Sequence, residues 1–283
     1  PAYKGVKFSR RTVDEVKKDI DSMEKEYASY KNTIRSAFLQ DADSLVLKTS
    51  DILEIIRYTK EKFPGLERIT TYARATTLKR KTVEELRELC KAGLTRIHVG
   101  LESGSEKVLK MIRKGITPED IVEGGRKVVE AGISLSEYIM PGVGGRTMSS
   151  ENAVETARLL NQIKPDFIRV RTFAMHPMSP MHKLVEDGTF VVMNDAEIVA
   201  EIRLLVENLD EMHSYFSCAD FSLNLLMQVD GYLDEKKDYM LSELDRFLAL
   251  TPEQQKAYAL IRRSSYMQYP LEAAENEDLL SRI

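Results

Sequence analysis

Two rhythms of apolar and polar residues alternate along the first two-thirds of the chain. Residues 12–29 (TVDEVKKDIDSMEKEYAS) carry apolar side chains at helical spacing, and Thr12 with Glu15 makes a capping-box pattern. Residues 36–47 (SAFLQDADSLVL) open as a short apolar strand and run into acids. Residues 50–65 read as a helix stopped by Pro64 and Gly65, and 67–78 (ERITTYARATTL) as a strand rich in Thr, Ile and Tyr. The series continues with a helix over 82–93 ending at Gly93, a strand over 95–103 and a short helix over 105–115. A helix over 117–132 with Pro118 in its first position comes next, then a strand over 133–142, a helix over 150–163 and a strand over 166–173. Strand and helix thus alternate five times, which predicts a parallel sheet wrapped by helices. The phrase of helix end, glycine and hydrophobic strand recurs as CKAGLTRIHVG and VEAGISLSEYIM. That suits a β/α barrel and also a doubly wound sheet.

From Ala174 the rhythm changes. A loop-like stretch with Pro177 and Pro180 leads into mostly helical pattern over 194–213, 234–248 and 251–263, and then an acidic tail. The expected organisation is a barrel-like domain over 1–173 and a C-terminal helical extension over 174–283.

Composition narrows the classes. Of 283 residues 43% are hydrophobic, enough for a large core, and the net charge of -4 gives no general polyanion-binding surface. Neither nucleic acid nor membrane is an expected partner: the small basic run of Tyr72, Arg74, Lys79, Arg80 and Lys81 is explained by a solvated loop, and no run of 18 apolar residues is present. Two cysteines, Cys90 and Cys218, make no disulfide framework, which suggests a reducing, cytoplasmic setting. Neither has a Cys or His beside it at metal-ligand spacing, so no metal ligand is named.

Polar residues gather where the predicted strands end, the place where β/α folds carry their chemistry. The first strand ends in Gln40, Asp41 and Asp43, the second in Tyr72 and Arg74, and the third in Glu102 and Ser103. The fourth carries Glu137 and Tyr138 before Pro141 and a glycine-rich turn, and the fifth carries Arg169 and Arg171 before His176. Each has a plainer reading. Asp41 and Asp43 could cap the next helix, Ser103 or Ser105 could be the N-cap of helix 105–115, and Gly142–Gly145 could be a simple turn. Lys114 could be an ordinary helix C-terminal cation. Arg169 and Arg171, two apart, share a side of their strand; inside a barrel they would suit a carboxylate or phosphate, outside they are a solvated stripe.

The segment GLTRIHVGLESGSEKVLKMIRKGIT resembles the fourth strand and subsequent helix of radical S-adenosylmethionine (SAM) enzymes. FLQDADSL, TTYARATTL and YIMPGVGG stand in the order of that family's second, third and fifth strands. The resemblance covers roughly residues 1–190. It implies an α/β fold, a partial (β/α)6 TIM-like barrel lacking its first strand here, with a mainly helical C-terminal extension. It also implies SAM and a [4Fe-4S] cluster as cofactors, a 5′-deoxyadenosyl radical that abstracts hydrogen from a small-molecule substrate, and an electron donor such as flavodoxin or ferredoxin. By position, Gln40, Asp41, Tyr72, Arg74, Glu102, Ser103, Lys114, Tyr138 and Met140 would line the SAM site, and Arg169 and Arg171 would meet the substrate.

The sequence departs from that family in one respect: it contains no Cys-x3-Cys-x2-Cys. Since AYKGVKFSRRTVDEVKKDI resembles the segment just after the third family cysteine, the cluster ligands are expected upstream of Pro1. A paralogue that has lost its cluster is the alternative. Two further readings stay open, a β/α enzyme holding a divalent metal on Asp41, Asp43 and Glu102, and a non-catalytic binding protein derived from the barrel.

Overall fold

The computed structural model describes residues 9–40, 43–220, 222–265 and 271. Seven strands form one sheet in chain order: β1 (Ser36–Leu39), β2 (Arg68–Ala73), β3 (Leu94–Glu102), β4 (Ser134–Ile139), β5 (Phe167–Val170), β6 (Tyr215–Ser217) and β7 (Asp230–Tyr232). The helices are α1 (Val13–Glu26), α2 (Thr49–Lys62), α3 (Ala75–Arg80), α4 (Val83–Ala92), α5 (Glu106–Met111) and α6 (Pro118–Glu130). They continue with α7 (Ser149–Ile163), α8 (His182–Glu186), α9 (Asp195–Glu207), α10 (Leu233–Ala249) and α11 (Pro252–Ser265). The predicted α/β alternation is present, with parallel pairing of β1 with β2, β2 with β3 and β5 with β6, and antiparallel pairing of β6 with β7.

The chain divides into two compact units, one of residues 1–100 with 119–136 and the other of residues 101–118 with 137–283. In the first, helix signals act as the sequence predicts. Thr12 and Thr82 each close a capping box with the glutamate three residues on, and Gly93, at φ 124°, ends α4. Strand alternation sends Ile69, Ala73, Ile97 and Val99 into the core, all at most 4% exposed. Ile20 of α1 packs with Ile55 and Phe63, and Leu39 of β1 joins that cluster. In the second unit, α9 packs against both α7 and α10. Ala153, Ala157 and Leu160 of α7, Val199, Ile202 and Val206 of α9, and Met240, Leu244 and Phe247 of α10 are all buried there.

Three elements differ from the expectation. The stretch ERITTYARATTL is not one strand: it leaves the sheet at Ala73, and residues 75–80 turn into α3. Asp43 explains the break, since its carboxylate accepts from the Arg74 backbone N–H (3.3 Å) and from the Thr77 hydroxyl (2.6 Å), which fixes the first turn of α3. The C-terminal extension adds β6 and β7 to the sheet as well as helices. The helix expected over 105–115 stops at Met111, for a reason that bears on the site.

Candidate functional site

The segment after β3 is built around backbone strain and close approach. Among the described residues only Glu102, Arg113 and Lys164 adopt positive φ without being glycine, and two of these bracket α5. Glu102, at φ 61°, turns the chain off β3. Gly104 then presses on α7 so closely that a Cβ would lie 2.2 Å from the Glu155 carbonyl oxygen, so no other residue fits. Its N–H donates to the Thr156 hydroxyl (2.8 Å). Ser103 is fully buried and its hydroxyl accepts from the Ser105 N–H (3.0 Å). Ser105 is the N-cap, accepting from Val108 N–H (3.2 Å) and donating to Glu151 (2.7 Å).

Helix α5 ends in a Schellman motif. Arg113 donates to the Lys110 carbonyl (3.1 Å) and Lys114 to the Leu109 carbonyl (3.0 Å), with Arg113 left-handed at φ 54°. A non-glycine residue in that conformation costs about 1 kcal/mol. Its effect is to deliver Lys114 to the end of β3, where its ammonium donates to Glu102 at 2.6 Å. The pair is partly open to solvent, the two side chains being 27% and 19% exposed. One acid and one ammonium are thus held together at the carboxyl end of a strand by two strained residues. Backbone strain concentrates at functional sites when the surroundings enforce it.

The next two strands meet this point. Met140 N–H donates to the Glu102 carbonyl (2.8 Å), and Arg171 N–H to the Ile139 carbonyl (2.9 Å). The Arg171 guanidinium lies 4.5 Å from the centre of the Tyr138 ring and 3.7 Å from Asp220. Arg169 sits over the Phe167 ring at 5.5 Å. Glu102, Lys114, Tyr138, Met140 and Arg171 therefore form a connected rim. Of the remaining predicted residues, Gln40, Tyr72 and Arg74 lie in the other unit. Gln40 and Arg74 are exposed, and Tyr72 packs with Phe38 and His98, ring centres 4.9 and 5.7 Å away. Asp41 lies outside the described residues. Asp43 does not cap the helix that follows it; both its oxygens are engaged at α3 instead.

Two carboxylates are buried in the same unit: Glu137, which the strand-end pattern noted without giving it a role, and Glu201, which no sequence signal marked. Glu137 is 0% exposed and neither of its oxygens has a hydrogen-bond partner among the described residues. Strand alternation puts it with Leu135 and Ile139, on the face opposite Tyr138. Burial pushes its acid well above the ordinary glutamate range; the Glu102 carboxylate adds to this, and Lys114 opposes it. Glu201, on α9 and 3% exposed, accepts from Gly142 N–H (2.9 Å), the Asn152 amide (2.7 Å) and the Ser149 hydroxyl (2.6 Å). Burial raises its acid too, against those three donors.

An amino acid zwitterion needs an acceptor for its ammonium and a cation for its carboxylate, and the Glu102–Lys114 pair offers both at one spot. The charged end of SAM fits it in that sense. A [4Fe-4S] cluster finds no such fit. Among the described residues no three His, Cys, Asp or Glu side chains gather to hold a metal. Cys90 bonds the Gly132 carbonyl (3.5 Å), and Cys218 is buried with its thiol pushed strongly up by desolvation. No helix among the described residues is long and apolar enough to cross a membrane.

Comparison with known proteins is consistent with this geometry. The family model described as the Radical SAM superfamily matches residues 3–159, more than half of the chain. A tRNA uridine(34) acetyltransferase of Methanocaldococcus infernus is 21% identical over 120 residues, 42% of this chain and 22% of that protein. The chain thus spans about a fifth of the length of that curated relative. Among solved structures, archaeal Elp3 of Methanocaldococcus infernus with an N-terminal deletion superposes with a TM-score of 0.54 at 15% identity, over 80% of this chain and 57% of that one. Methylornithine synthase (PylB) superposes with a TM-score of 0.51 at 17% identity, over 82% and 62%. These likenesses show the fold.

Proposed function

This chain belongs to the radical SAM superfamily, and from that premise we propose that it binds SAM at the rim formed by the ends of β3, β4 and β5 and serves radical chemistry on a small-molecule substrate. The family is one of enzymes that use SAM with a [4Fe-4S] cluster. Held at the rim, with an electron delivered through a [4Fe-4S] cluster, SAM would supply radical hydrogen-abstraction chemistry. The observation that carries the proposal is the Glu102–Lys114 pair, held at 2.6 Å, with Glu102 and Arg113, the residue before Lys114, both left-handed.

In this reading Lys114 donates to the ligand's carboxylate and Glu102 accepts from its ammonium. Tyr138 and Met140, with the loop Pro141–Gly145, flank the adenosine. Ser103 acts from below, its hydroxyl spent on the turn that presents Glu102. Arg169 and Arg171 stand for a carboxylate or phosphate on the substrate, and a flavodoxin or ferredoxin stands for the electron donor. The tRNA in the acetyltransferase's name is not carried over, since the match covers 22% of that protein and this chain's net charge is -4.

The test has two arms. Calorimetric titration of this chain with SAM should show binding, and Lys114→Met should weaken it at least tenfold, the loss of roughly 1.4 kcal/mol or more that a charge-assisted bond supplies. Separately, the complete natural polypeptide, reconstituted anaerobically with iron and sulfide and given dithionite and SAM, should release 5′-deoxyadenosine. Absence of SAM binding in both forms would overturn the reading.

A further inference from the structure

The extension after residue 174 grips the loop beyond β4 at three places. At the start of the loop, Glu201 of α9 accepts from Gly142 N–H at 2.9 Å, and the same oxygen holds Asn152. At its end, Arg146 N–H donates to the Val191 carbonyl at 2.9 Å, and the Arg146 guanidinium pairs with Glu197 at 2.6 Å. Between these, Gly142 (φ 85°) and Gly145 (φ 62°) hold left-handed conformations. A Cβ on Gly145 would lie 2.8 Å from the buried Phe190 ring, and one on Gly142 would touch Ile198 and Phe173 at 3.5 Å. The loop's own internal bonds are two, Val143 N–H to the Met140 carbonyl (3.2 Å) and Gly145 N–H to the Gly142 carbonyl (3.0 Å), among the described residues.

A glycine-rich loop is loose by itself, because each glycine loses much chain entropy when it is fixed. The carboxylate that orders this one comes from a helix 59 residues away. Burying an acid has a cost, and here three donors offset it. Met140 N–H is held by the Glu102 carbonyl and the Pro141 carbonyl by Phe173 N–H, so the Glu201 carboxylate is the hold that acts on the first glycine of the loop, Gly142.

We infer that Glu201 is a positioning residue, through which the C-terminal extension sets the affinity of the rim for an adenosyl ligand. This rests on the proposed placement of the adenosine against the β4 loop. It gives the extension a role in ligand binding that does not require it to touch the ligand.

Full-length protein with Glu201→Gln, Glu201→Asp and Glu201→Leu would be titrated calorimetrically with SAM and with S-adenosylhomocysteine. Amide hydrogen exchange would be followed across residues 140–148. Glutamine still accepts from Gly142 N–H, so its affinity should stay within about threefold of the unaltered protein. Aspartate keeps the charge but is one methylene too short to reach; it should weaken both ligands at least tenfold and speed Gly142 exchange at least tenfold. Leucine should do the same, and if it fails to fold, aspartate decides. A folded aspartate variant with unchanged affinity and unchanged exchange would overturn the inference. So would a glutamine variant as impaired as aspartate, since loss of charge and not of reach would then be at fault. If the unaltered protein bound neither ligand, the proposed function would fall and the affinity role with it, while exchange at Gly142 would still report whether the clamp exists.

Discussion

Strand β4 and helix α9 each bury a glutamate in the same unit, and the two are solved in opposite ways. Glu137 is fully buried and meets no donor among the described residues; Glu201 is nearly as enclosed and meets three. Both acids are pushed up by burial. The difference lies in what each would leave behind if removed. Around Glu201 an N–H, an amide and a hydroxyl depend on the carboxylate. Around Glu137 nothing does, so the cost of burying it is uncompensated by any bond among the described residues. Burial alone is thus a poor measure of what a polar side chain contributes; the partners decide the sign.

The strongest way to test that contrast is Glu201→Leu. It leaves the buried Gly142 N–H without its partner, takes the shorter of its two bonds from the Asn152 amide, which keeps a long one to the Met140 carbonyl (3.5 Å), and releases the part-buried Ser149 hydroxyl, at about 1–3 kcal/mol for each buried donor left unsatisfied. A destabilisation of about 4 kcal/mol in urea unfolding is expected from those costs. A loss under about 1 kcal/mol would mean that the loop relaxes to water and that no clamp exists.

The opposite sign is expected at Glu137. Glu137→Met keeps volume and removes an acid without partners, so it should stabilise the fold by about 2 kcal/mol near pH 5, read in the same unfolding experiment. A destabilising result would show that a ligand or another segment of the natural protein satisfies Glu137.

The pH dependence sharpens this further. A folded pKa raised above the ordinary value of 4.5 means that the folded state holds the proton more tightly than the unfolded one. Stability from this group is fully present below pH 4.5 and is lost as pH rises through the folded value. The advantage of Glu137→Met over the unaltered protein should therefore widen above pH 4.5, by up to about 1.4 kcal/mol per pH unit, until the folded value is passed. A flat difference between about pH 5 and 8 would contradict the raised acid.

Much of the frame that holds these residues was legible in the sequence, because local signals decide it. The Thr12 capping box, Gly93 at the end of α4, Pro118 at the start of α6 and Ser105 as N-cap all act on their near neighbours in the chain. The strand ends also announced Glu102, Tyr138 and Arg171, and the resemblance supplied Lys114, which the structure sets beside Glu102. What local pattern could not show is pairing across distance: Glu201 meets Gly142 from 59 positions away, and its stretch reads as an ordinary amphipathic helix. Strands β6 and β7, three residues each, are too short for alternation to register. At α3, the β-branched residues of ATTL suggested strand, and a tertiary contact from Asp43 won. Glu137 was visible as a polar residue at a strand end, but its isolation depends on what surrounds it in space.

The smallest expected effect is the most discriminating between charge and geometry. Glu201→Gln leaves one oxygen to accept from Gly142 and Asn152, and turns an NH2 toward the Ser149 hydroxyl, whose oxygen can accept in turn. Because burial already favours the neutral acid at this position, loss of the charge should matter little, and a change of under about 1 kcal/mol is expected. The linkage has the same sign as for Glu137. The raised Glu201 acid contributes stability below pH 4.5 that fades as pH climbs, so Glu201→Gln should compare best with the unaltered protein at higher pH. If the glutamine variant instead lost as much as the leucine one, a charged carboxylate would be the thing that the three donors hold. The two buried glutamates would then differ in ionisation as well as in partners, with the clamp working through charge and Glu137 remaining the only neutral acid of the pair.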